Sequence, residues 1–290
     1  GWIGQQYFGR GASNNYIDNC YSTGLISASG SGGICGRNAG FYGNVTIQNS
    51  YSLGNISNTY TGGICGQYAG FDNGTVTVTN CYSAGEISGK NSGGICGGNT
   101  GYNSGTVSVT NCYSLGNISG QYSGGICGYN AGYSSGTVSV TNCYSKGDIS
   151  ATSSGGICGY GTGQTNGNVT ITNCYSEGVI SASEAGGICG AYTGFTNGNV
   201  TITNCYSEGD ISGNQSGGIC GYNTGYDINT GTVTVKNCYS AGKTLTGGQG
   251  IFGSISTSSN DKVTYSYCYS VGTGTWSDKA ANAALQPGCV

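Results

Sequence analysis

Residues 75–96 read TVTVTNCYSAGEISGKNSGGIC, and the fold is decided there. The first five alternate Thr with Val, the period of a strand with one buried face. Val76 and Val78 then point inward, and Thr75, Thr77 and Thr79 point outward. Asn80 and the glycines that follow mark turns. The string returns downstream: NCYS ends at Ser83, Ser114, Ser145, Ser176 and Ser207, always 31 residues on. GGICG recurs with the same step at Cys96, Cys127, Cys158, Cys189 and Cys220. A period of this size signals stacked repeats. One unit reads NCYSxGxISGxxSGGICGxNxGxxxGTVTVT and offers three short strand-like pieces with glycines between them. No segment has helical period long enough for a crossover helix.

The expected fold is therefore all-β: a single β-solenoid, a parallel, right-handed β-helix of about nine 31-residue coils. At roughly 4.8 Å per coil it would be a rod about 43 Å long. Residues 19–270 form the tandem array, 1–18 a degenerate first coil or assembly segment, and 271–290 a C-terminal cap. Nine positions are of the CYS type, with Ser50 replacing one Cys. Eight are of the GGICG type, with Phe252 replacing the last Cys. The inward pairs run Val45/Ile47, Val76/Val78, Val107/Val109, Val138/Val140, Val169/Ile171, Val200/Ile202, Val233/Val235 and Val263/Tyr265, a continuous ladder. The Asn before CYS, from Asn19 to Asn237, is expected either as a left-handed turn residue or as an amide ladder. The Tyr column from Tyr21 to Tyr269 is expected to be architectural.

Composition removes other classes. Glycine is 60 of 290 residues, but one proline and no Gly-X-Y period exclude collagen. No apolar run reaches the roughly 20 residues of a membrane span. Eight Lys and Arg at a net charge of −3 cannot make the basic field of a nucleic-acid binder. There is no His, so the commonest general base and metal ligand are missing. There is no Met either, which points to a processed chain or a fragment.

GGICGxNxG followed by NCYSxGxIS resembles the GLUG-motif repeats of bacterial surface proteins, across nearly the whole array. The resemblance implies a repeat scaffold in a secreted or wall-attached protein, adhesins among them. It implies no catalytic residue. The chain departs from the pattern at GGICG, where an aliphatic residue normally stands in place of Cys.

Sixteen cysteines, an even number, point to disulfides and an oxidising, extracellular compartment. The preferred pairing joins Cys65–Cys81, Cys96–Cys112, Cys127–Cys143, Cys158–Cys174, Cys189–Cys205 and Cys220–Cys238, with Cys20–Cys35 and Cys268–Cys289 at the ends. A second scheme pairs each CYS forward, as in Cys81–Cys96. A third reading leaves the thiols free as small core residues. The regular spacing, with no CxxC, does not suit zinc, and no metal or cofactor is expected.

No enzyme activity is expected. Glu177 and Glu208 fall in one column, at a separation that could suit a retaining glycosidase. Lys146 beside Glu177 makes an exposed ion pair the plainer account. The expected function is an extracellular structural or adhesive protein, a fibre subunit stacking head to tail on copies of itself or a protein meeting cell-surface and glycan partners. The alternative is ice binding through an outward ladder of Thr46, Thr77, Ser108, Ser139, Thr170, Thr201, Thr234 and Thr264. Tyr129, Tyr160 and Tyr222 offer a third option, sugar stacking. Seven sequons, at Asn44, Asn55, Asn73, Asn117, Asn168, Asn199 and Asn214, would carry N-glycans in a glycosylating host. Glycans at Asn44, Asn168 and Asn199 would cover the Thr face, so the two ideas compete. At the N-terminus GWIG reads as a degenerate GGICG. Ser277 could cap a short helix over Ala280–Leu285, stopped before Pro287.

Overall fold

A computed structural model describes residues 1–245 and 247–271. Nine strands lie side by side in chain order: Asn15–Asp18, Asn44–Gln48, Thr75–Thr79, Thr106–Thr110, Thr137–Thr141, Asn168–Thr172, Asn199–Thr203, Thr232–Lys236 and Val263–Ser266. Every neighbouring pair is parallel. A second nine-stranded parallel sheet is built from two-residue Tyr-Ser strands, from Tyr21–Ser22 to Tyr269–Ser270. Single parallel bridges tie the remaining walls, as in Ile87↔Ile118, Gly93↔Gly124 and Cys96↔Cys127. The chain is thus a β-solenoid, each coil bonded to the next on every wall. The described residues contain no α-helix; Thr257–Lys262 form a 3-10 turn. The expected helix over Ala280–Leu285 lies outside the described residues.

The register is set by burial. In Thr75–Thr79 the two Val are buried and the three Thr are not, and the same alternation repeats through Thr232–Lys236. A slip of one residue would turn this apolar set out to water. Each fully buried Val or Ile contributes about 1.5–3 kcal/mol. A second buried column, from Ile26 through Ile118 to Ile211, fills the far corner. One coil is longer, since Thr201 pairs with Thr234 rather than with a residue 31 places on. The extra residues sit in the corner before Thr232, where Ile228 turns into the core, so the strand keeps its register.

Both readings of the Asn column are correct together. Asn80, Asn111, Asn142 and Asn173 have φ of 53–54°, a conformation in which Asn is the best non-glycine residue. Their amides also chain along the rod. Asn142 Nδ2 donates to Asn111 Oδ1 at 3.2 Å, and Asn173 Nδ2 to Asn142 Oδ1 at 3.1 Å. The ladder starts at a carboxylate, where Asn49 Nδ2 donates to Asp18 Oδ1 at 2.9 Å. The next column but one stacks tyrosine on tyrosine: rings of Tyr82, Tyr113 and Tyr144 lie 4.8–4.9 Å apart and within 3° of parallel.

The double glycine is explained by crowding on both residues: a Cβ on the first, as at Gly62 or Gly93, would run into the carbonyl of Cys65 or Cys96, and one on the second into the next coil's glycine carbonyl and the buried Ser of CYS. A Cβ on Gly63 or Gly94 would stand 2.5 Å from Ser83 Oγ or Ser114 Oγ. These hydroxyls, from Ser22 to Ser240, find no hydrogen-bond partner. They lie against glycine Cα atoms, where a weak C–H···O contact is what the geometry permits.

The disulfide expectation is corrected. The fifteen described cysteines are free thiols, and Cys289 lies outside the described residues. Cys65 and Cys81 face copies of themselves on adjacent coils, not each other: Cys65 is bridged to Cys96, and Cys112 Sγ sits 3.4 Å from Cys81 N. Cys81 Sγ is turned to the Thr79 carbonyl at 3.3 Å. Cys96, Cys127, Cys158, Cys189 and Cys220 stack in the column of Cys35 and Cys65, and Cys112, Cys143, Cys174, Cys205, Cys238 and Cys268 in the column of Cys81, all as free thiols, while Cys20 meets Ser50 in place of a cysteine. Thirteen of these thiols are small core residues, the third of the sequence readings; Cys20 and Cys268 are half-buried.

Candidate functional site

The outer face of the long-strand sheet is the most regular surface. Thr46↔Thr77, Thr77↔Ser108, Ser139↔Thr170, Thr170↔Thr201, Thr201↔Thr234 and Thr234↔Thr264 are direct cross-strand partners. The Thr ladder read from the sequence is therefore one straight column. Thr75, Thr106, Thr137 and Thr232 flank it on one side, and Thr79, Thr110, Thr141, Thr172 and Thr203 on the other. Residues two apart on a strand stand about 6.6 Å from each other, and coils repeat at about 4.8 Å. The result is a two-dimensional grid of methyls and hydroxyls. At its C-terminal end Thr234 Oγ1 and Thr264 Oγ1 are 3.2 Å apart. In the first coil Tyr16, opposite Thr46, replaces the Thr and is 64% exposed, so the grid begins at the second coil. Lys236 places a charge on its edge.

All seven sequon asparagines are exposed. Asn44, Asn168 and Asn199 sit in the outer column of the Thr grid, aligned with Thr75, Thr137 and Thr232. Asn55 and Asn117 do structural duty, their Oδ1 atoms accepting from Glu86 N and Asp148 N at 3.1 and 3.0 Å. Asn73 holds a left-handed turn at φ 61°. Ser216, the hydroxyl residue of the Asn214 sequon, is buried and donates to Ala182 O.

The other polar candidates separate. Lys146 Nζ meets Glu177 Oε2 at 3.2 Å. Glu208 is exposed on the next coil. Tyr129, Tyr160 and Tyr222 do not form free platforms. Tyr129 stacks on Tyr160 at 5.5 Å, Tyr122 and Tyr192 lean on Tyr160 at 4.9 and 5.1 Å, and Tyr222 is edge-on to Tyr192. Burial, with Tyr192 beside it, pushes the Tyr160 phenol up to about 12.

This aromatic cluster was not seen in the sequence, although a signal exists. Gly98 stands where Tyr129, Tyr160 and Tyr222 stand in other coils. A Cβ there would lie 2.6 Å from the Tyr60 ring, which spans the gap and meets Tyr129 edge-on at 6.1 Å.

Among the described residues no three His, Cys, Asp or Glu are grouped to hold a metal ion, and no helix is long and apolar enough to cross a membrane. No family profile, curated protein or solved structure matches this chain.

Proposed function

We propose that the chain is a structural or adhesive rod of the cell exterior, with no catalytic step of its own. The observation that supports this is the unbroken run of self-stacking columns. Asn on Asn from Asn49 to Asn237, and Tyr on Tyr from Tyr21 to Tyr239, continue along the rod and keep this wall the same at every coil. A rod of that kind holds whatever it carries at a fixed distance and shows the same face at every coil. A right-handed winding agrees with the handedness of parallel crossovers. The cysteines lend no support to an oxidising compartment, so the location rests on the likeness to GLUG repeats. Among the described residues Asn15–Asp18 and Val263–Ser266 each have one strand neighbour. Such edges accept a further coil, from the same chain or from a second copy. Negative-stain electron microscopy at micromolar concentration tests the head-to-tail form. Fibres one solenoid wide support it, and isolated rods about 43 Å long, the span of nine coils, count against it.

A second reading, ice binding, is favoured by the straight Thr46–Thr264 column and its flanking Thr residues. Thermal hysteresis measures it directly. The activity should fall when Thr77 and Thr170 are both changed to Lys, and its absence from the unchanged, unglycosylated protein ends this reading.

A further inference from the structure

The interior holds a column of seven thiols whose sulfur chemistry the packing leaves unused, running through Cys81, Cys112 and Cys143 to Cys268. Each makes the same two contacts. One is to the carbonyl two residues earlier, at 3.2–3.4 Å, and the other to a carbonyl one coil below, at 3.5–3.8 Å. Equal contacts mean equal rotamers, so successive sulfurs are one coil translation apart. The stacked tyrosines measure that translation as 4.8–4.9 Å.

The spacing discriminates between two kinds of sulfur chemistry. A disulfide needs Cβ atoms about 3.5–4.5 Å apart, so rungs at the coil repeat are too far from each other. A metal–thiolate bond is about 2.3 Å long, and two in line span about 4.6 Å. Soft thiolates select soft cations. The described residues offer no cluster of three ligands, so two-coordinate binding is what the column provides.

We propose that this column binds soft cations of linear, two-coordinate preference, each ion joining two adjacent rungs and each thiol serving one ion. With the mercuric ion as probe, two S–H bonds break and two Hg–S bonds form. Both protons pass to solvent, and no electron is transferred. The product RS–Hg–SR is neutral, as a column among buried residues requires, because an unpaired charge there is costly. The carbonyls that lose an S–H contact keep backbone partners: Thr110 O accepts from Asn80 N, and Thr141 O from Asn111 N. Half-buried Cys268, at the C-terminal end of the column, is the point of entry.

The test compares two triple variants of the whole chain, each lacking three thiols. C112S, C174S and C238S remove alternate rungs and leave every remaining thiol two coils from its nearest neighbour in the column. C81S, C112S and C143S remove one end and leave four consecutive rungs, from Cys174 to Cys268. Serine fits here, as Ser50 shows by donating to Gln48 O at 2.7 Å in the same column. Native mass spectrometry counts mercuric ions on protein whose near-ultraviolet circular dichroism shows the tyrosine stack intact. Seven rungs make at most three pairs and four rungs make two. The alternate variant should therefore bind three fewer ions than the unchanged chain, and the end variant one fewer, with two protons released per ion. The Cys35–Cys220 column is a common background. Equal losses in the two variants overturn the proposal. Both patterns made with Cys→Ala keep the comparison available if a serine series misfolds.

Discussion

Asn142 and Cys143 are neighbours in sequence, and both recur once per coil, yet their side chains end in opposite circumstances. The amide of Asn142 donates to the rung below and accepts from the rung above. The thiol of Cys143 meets carbonyls and other thiols, and forms no bond to a cysteine elsewhere in its coil. A stacked repeat brings each residue to its own copies. Side chains that can pair with themselves across the coil repeat become ladders, and those that cannot become filler. Asn, with donor and acceptor on one amide, belongs to the first kind. Cys belongs to the second, because a disulfide is shorter than the repeat.

The strongest way to break this comparison is at the glycine column. Gly94→Ala would push a Cβ toward Ser114 Oγ and the next glycine's carbonyl. Overpacking of this kind should cost about 3 kcal/mol in chemical denaturation. Next comes the amide ladder. Asn142→Ala forces alanine into a left-handed conformation, at about 1–2 kcal/mol, and removes two hydrogen bonds worth about 0.5–1.5 kcal/mol each. A loss of about 2–5 kcal/mol is expected, and Asn142→Gly should recover the backbone share. Cys143→Ala should cost less, about 1–2 kcal/mol, since a single buried atom of methylene size and its cavity are all that is lost. If Cys143→Ala proves costlier than Asn142→Ala, the distinction between ladder and filler is wrong. At the small end, Lys146→Ala breaks the exposed pair with Glu177 and should leave the unfolding midpoint unchanged.

Much of the architecture could be read in the chain before any coordinates. The alternation in TVTVT gave the buried and exposed faces, and the step of 31 residues gave parallel, in-register stacking. The Asn column was placed well because one residue type satisfied two physical demands at once. The cysteines misled because an even count and near-equal spacing favour pairing along the chain, whereas stacking decides partners across coils. The aromatic cluster around Tyr160 was missed for a related reason. Tyr60 and Tyr122 come from a different corner of the unit than Tyr129 and Tyr160, and their meeting depends on how far the turn at Gly98 lets a ring reach. The Thr face was placed correctly, but periodicity cannot say what it binds.

Thiol counting tests the central claim most directly. The chain is folded in an oxidising buffer without reductant, then unfolded in guanidinium with a thiol reagent present. If like stacks on like, the fifteen described cysteines react as free thiols, and added reductant changes neither that number nor the unfolding midpoint. Few reactive thiols before reductant, and a midpoint that drops once it is added, would contradict the account, because cysteines would then be joined in pairs rather than facing their own copies.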